Sequence, residues 1–131
     1  MDRKKLISLL QNNKDIIAAI LFGSESRGTA TQESDIDIAL LYEKDNIPNG
    51  IDLLQFRQQL SDKMEQDVDI VLLNKASPII SMQALKNGKP LLIRNQKVYD
   101  AFEIQLVTDY ADVKRMREPF EKNILSRKLH D

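Results

Sequence analysis

The chain has 131 residues, one domain of ordinary size, and 19 Lys plus Arg against 20 Asp plus Glu leave a formal net charge of −1. That near-balance gives no global attraction to nucleic acid or to an anionic membrane surface. The absence of cysteine excludes disulfides, thiolate zinc sites, iron–sulfur clusters and a Cys nucleophile. The single histidine, His130 near the C-terminus, argues against a Ser-His-Asp hydrolase, a His-ligated zinc site and a two-histidine ribonuclease. Oxygen chemistry remains: carboxylates, hydroxyls and the hard cation they can hold.

The N-terminal segment MDRKKLISLLQNNKD breaks its apolar stretch at Ser8 and stops at Leu10, with no small-residue cleavage site. No run approaches the length of a membrane span, and a soluble, cytoplasmic protein is the expectation. Leu6, Leu9 and Leu10 form a short helical stripe. IIAAILF, Ile16 to Phe22, is a continuous apolar run that predicts a strand covered on both faces. DIDIALLY, Asp35 to Tyr42, alternates and predicts a second strand, followed by the loop EKDNIPNG. Leu53, Phe56, Leu60 and Met64 carry helical spacing, and DVDIVLL, Asp67 to Leu73, predicts a third, buried strand. Ser77-Pro78 opens a helix that should stop at Gly88, and PLLIR, Pro90 to Arg94, is a fourth strand. From about Gln96 a long helix carries Phe102, Leu106, Val113 and Met116, with a break or kink expected before Pro119. Tyr110 and Phe120 at helical spacing read as core, and the mixed charges of the tail read as a solvated amphipathic face. The elements add up to an α/β (α+β) layer structure, a small mixed β-sheet flanked by helices. One domain over 1–131 is expected, with a catalytic core of about 1–95 and a C-terminal helical segment of about 96–131.

The chemistry concentrates in GSESRGTATQESDID, Gly23 to Asp37. A buried strand running into Gly-Ser suggests a tight turn whose backbone N–H groups and Ser24 hydroxyl could hold a phosphate. Gly-Ser after a strand is more commonly a turn with an N-cap alone. Asp35 and Asp37, two residues apart in a strand, project to one face, where paired like charges repel unless a cation lies between them. In isolation such a pair would simply face water, with Ile36, Ile38 and Leu40 turned to the core. Asp67 and Asp69 repeat the pattern on the third strand. Acidic positions converging from two strands opposite a Gly-Ser turn fit Mg²⁺ and nucleotide phosphates, and two such ions about 4 Å apart can clamp a phosphoryl transfer.

Gly23-Ser24, ten residues, then Asp35-x-Asp37 resembles the signature of the polymerase-β-like nucleotidyltransferase superfamily, and the VDIV strand resembles its third-carboxylate strand. More closely, the chain resembles the minimal nucleotidyltransferase (MNT) antitoxins encoded beside HEPN-domain ribonuclease toxins. That likeness rests on VDIVLLNKASP, on Asn87 to Lys89, and on a C-terminal helix with Tyr110 and Asp112. The resemblance implies the nucleotidyltransferase palm fold with a long C-terminal helix. It also implies a protein adenylyltransferase that moves AMP from ATP to a tyrosine of the cognate HEPN toxin, in a hetero-oligomer with it. By the same resemblance Gly23 and Ser24 hold the triphosphate, and Asp35, Asp37 and Asp69 are the catalytic, metal-holding carboxylates. Asp69 also helps activate the acceptor hydroxyl, and Asp67 fits less well because the family's acid sits inside a Val-Asp-hydrophobic triplet. Arg27 stands where relatives carry Arg-Gly and either steadies phosphate charge or forms a surface salt bridge. Two Mg²⁺ ions are implied, with Mn²⁺ accepted by the same ligands.

Independently, no residues remain for a separate acceptor-binding domain, so an acceptor must dock on the surface near the site. Without a basic excess, a folded protein suits that role better than nucleic acid. Two other readings use the same residues: an antitoxin that occludes its toxin without catalysis, and a nucleotidyltransferase for a small hydroxyl compound.

Overall fold

The computed structural model describes residues 1–23, Gly28 and residues 35–130. Helix α1 (Arg3–Gln11) starts at Asp2, whose side chain accepts from Lys5 N, and buries Leu6 and Leu10. Strand β1 (Ile16–Phe22) runs antiparallel to β2 (Ile36–Tyr42). Helix α2 (Gly50–Met64) is capped by Asn49, and β3 (Val68–Leu72) follows it, parallel to β2. Helix α3 (Pro78–Lys86) opens on a Ser77 N-cap with proline in its first turn, as the sequence signals. Strand β4 (Lys89–Ile93) then lies antiparallel to β1, and α4 (Gln96–His130) ends the chain. The sheet order is β3-β2-β1-β4, a mixed sheet as expected.

Two cores result, one on each face. Leu6, Leu10, Ile36, Ile38, Leu40, Leu60 and Val68 pack where α1 and α2 cover the sheet. Ala18, Ile20, Ala39, Leu41, Leu73, Ala84 and Tyr99 pack under α3 and α4. A strand between two covered faces must be apolar at every position, which is why Ile16–Leu21 is buried throughout. Sequence periodicity predicts β3 to be equally buried. Instead only Val68 is buried and Asp69–Leu72 are half-buried, because β3 is an edge strand.

Tyr42 and Tyr99 are buried. Burial, with a smaller contribution from Asp15, pushes the Tyr42 hydroxyl up to about 12. Burial, with Glu103 and Asp100 adding, raises Tyr99 further. A folded-state value above the unfolded one favours folding fully below the unfolded pKa of about 10, and that contribution is lost as pH rises through the folded value. Urea midpoints are therefore expected to fall between pH 10 and 12. Tyr42→Phe should remove part of that slope while leaving it unchanged below pH 9; an identical slope in the variant would exclude Tyr42 as its source.

The break expected before Pro119 does not occur, and α4 continues from Gln96 to His130, about 52 Å at 1.5 Å per residue. Proline removes one i→i−4 hydrogen bond, but residues 114–123 are all exposed, so the freed carbonyl faces water rather than a core. The ion pair Arg115–Asp112 supports the helix before it, and Arg117–Glu121 (3.2 Å) and Lys122–Glu118 (3.7 Å) span it. The solvated tail agrees with its charge pattern. Phe120, expected in the core, is instead 64% exposed: Leu106 is the last buried residue of α4 among those described, and the helix overruns the body.

Candidate active site

The register of three strands gathers the site at one end of the sheet. Phe22, the last residue of β1, pairs with Asp37 of β2, and Asp37 pairs with Asp69 of β3. Laterally paired residues share a face, so both carboxylates project to the same side from strands roughly 4.8 Å apart. That side is the α3/α4 face, where Ala39, Leu41, Val71 and Leu73 continue both rows into the core. Asp37 is half-buried, whereas Asp35 precedes β2 and is exposed. Asp67 is exposed at the entry to β3, and its carbonyl accepts from Ile36 N at 2.8 Å.

Gly23 follows β1 with φ +70°, a left-handed conformation suited to glycine. A Cβ built there would lie 2.3 Å from Asp37 Oδ2, so the missing side chain is the space the carboxylate uses. Gly28 shares the positive φ, +74°, and is exposed. Ser24 and Arg27, the other expected phosphate contacts, lie outside the described residues.

Asp69 has an ion-pair partner that the sequence does not point to. Arg57 of α2 places Nη2 2.9 Å from Asp69 Oδ1, and its Nε donates to Val68 O at 2.7 Å. The available signal was slight: a basic residue flanking an apolar helix stripe that leads into an acidic strand.

Among the described residues, no group of three or more His, Cys, Asp or Glu is gathered as a complete ligand set for a metal. Mg²⁺ is commonly held by one or two carboxylates together with substrate phosphates, so adjacent Asp37 and Asp69 fit a hard divalent cation that arrives with a nucleotide. A hollow of about 470 Å³ lined by Leu9, Asn12, Lys14, Phe56, Gln59 and Lys63 lies between α1 and α2 and includes none of the acidic site positions. No helix among the described residues is long and apolar enough to cross a membrane.

A mixed sheet that delivers a left-handed glycine and two paired aspartates to one end defines a nucleotidyltransferase palm, and residues 4–97 match the family Polymerase beta, Nucleotidyltransferase. The chain belongs to that family, which implies a nucleotide substrate and a divalent metal. Within it, the chain is 32% identical over 127 residues to the protein adenylyltransferase MntA of Shewanella oneidensis, covering 96% of this chain and 89% of that protein. It also superposes, at a TM-score of 0.84 and 29% identity, on a chain of a toxin-antitoxin crystal structure with AMP-PNP, covering 95% of this chain and 99% of the other. A structure of the tri-AMPylated Shewanella oneidensis HEPN toxin in complex with MNT antitoxin contains a chain similar at a TM-score of 0.77 and 27% identity, covering 94% and 95%.

Proposed function

We propose that this chain is an antitoxin and a protein adenylyltransferase, transferring AMP from ATP to a tyrosine of a cognate HEPN toxin and so neutralising it. The observation that carries this reading is the in-register pair Asp37 and Asp69 beside Gly23, at the end of a sheet that superposes on toxin-antitoxin chains. We assign the whole of 1–131 to one domain and the cytoplasm as its place of action.

Gly23 and Ser24 hold the triphosphate, and Arg27 steadies its charge. Asp35, Asp37 and Asp69 hold Mg²⁺, two ions in the full site, for which Mn²⁺ can substitute. Bound there, the metal supplies Lewis-acid stabilisation of charge on the transferring phosphate. Asp69 helps activate the acceptor hydroxyl. The tyrosine oxygen bonds to the α-phosphorus as its proton passes to solvent, the bond to the bridging oxygen breaks, and diphosphate leaves with that electron pair. The paired strands fix the relative placement of the two carboxylates before any substrate arrives, which is the chain's contribution to orientation.

Incubating the chain with the HEPN protein encoded beside it, ATP and Mg²⁺ should raise that protein's intact mass by whole adenylate units, and chelation with EDTA should prevent the increase. An unchanged mass in a stable complex would replace this reading with occlusion. Turnover on free hydroxyl compounds without the partner would replace it with a small-molecule transferase.

A further inference from the structure

The outer edge of β3 carries a built arrangement that the catalytic reading leaves unused. β3 ends the sheet, and in a parallel ladder alternate residues turn both backbone groups outward; Asp67 O faces β2, so Val68 faces out. Two side chains one turn apart on α2 replace the missing strand. Ser61 Oγ accepts from Val68 N at 2.9 Å, and Arg57 Nε donates to Val68 O at 2.7 Å. Helix α2 packs on one face of the sheet, whereas Asp69 projects to the other. The Arg57 guanidinium therefore wraps the edge, fixed to the backbone through Nε and reaching Asp69 Oδ1 with Nη2 at 2.9 Å.

As an ion pair alone this contact contributes little to stability, since the two side chains are 45% and 46% exposed. Its geometry has another consequence. A planar fork anchored at one nitrogen fixes the direction of the carboxylate held by another, which an ammonium cannot do. We propose that Arg57 is a positioning residue for Asp69, holding Oδ1 so that the other oxygen is left for the cation. Groups that orient metal-holding carboxylates in this way set metal affinity, and their loss commonly costs 10–100-fold. The proposal rests on the reading of Asp69 as a metal-holding carboxylate.

The test is Mn²⁺ affinity, measured by electron paramagnetic resonance with saturating AMP-PNP and without turnover. Arg57→Ala should weaken binding by about 10–100-fold, and Arg57→Lys should not restore it. Asp69→Asn should weaken binding too, and adding Arg57→Ala to it should change nothing more. Ser61→Ala loosens the same strand edge without touching Asp69, so it should lower the melting temperature and leave Mn²⁺ affinity intact. Wild-type affinity in Arg57→Ala beside weakened Asp69→Asn would overturn the positioning role alone. Equal weakening by Ser61→Ala would reduce Arg57 to a structural brace. Unchanged affinity in Asp69→Asn would remove the site reading first, and this inference with it.

Discussion

Asn in place of Asp37 is expected to reduce adenylyl transfer by about 10³-fold or more while leaving the fold intact. The amide keeps the shape of the carboxylate but removes the charge that would hold the cation, at the position where β2 lies between the Gly23 turn and Asp69. Single-turnover rates and thermal melts on the same preparation decide the matter. A variant retaining a tenth of the wild-type rate would show that Asp37 is not a metal-holding group.

Gly23→Ala should damage both stability and transfer, through separable causes. An alanine at φ +70° is strained by about 1–2 kcal/mol, and its Cβ would meet Asp37 Oδ2 at 2.3 Å. The carboxylate must then move by the order of an ångström, a displacement that commonly costs about 10²-fold in rate. Gly28→Ala provides the contrast, since at φ +74° it carries comparable strain with nothing among the described residues within 4 Å of the added carbon. Both variants should melt a few degrees lower, about 3–8 °C, but only Gly23→Ala should displace Asp37 and incur the resulting rate loss. Equal rate losses in the two would mean that the collision with Asp37 is not the cause.

Much of this architecture is legible in the chain because its signals are local. The apolar run Ile16–Phe22 matches β1 at both ends, and Ser77-Pro78 marks the start of α3. What escapes is mostly set by elements distant in sequence. Periodicity cannot tell that β3 lies at an edge, so it overstates the burial of Val71 and Leu72. It turns Ile36 and Ile38 to the core but does not show that the aspartate rows run on through Ala39 and Leu41 into a second core. Phe120 has the spacing of a core residue, yet its exposure depends on how far the rest of the body extends along α4. Pro119 signals an end to the helix locally, yet α4 runs on through it. Arg57 becomes visible only once the strand edge it wraps is known.

The strand order also governs how the chain can be built during synthesis. β1 and β2 are neighbours in sequence and in the sheet; β3 then joins the open side of β2, and β4 joins the open side of β1. No strand has to be threaded between two already paired, so the sheet grows outward from its middle as residues emerge. The end bearing Gly23 and Asp37 belongs to the first pairing, and Asp69 arrives with the third strand. A ribosome-bound chain can therefore bring those three residues together before Lys89–Ile93 and α4 have emerged.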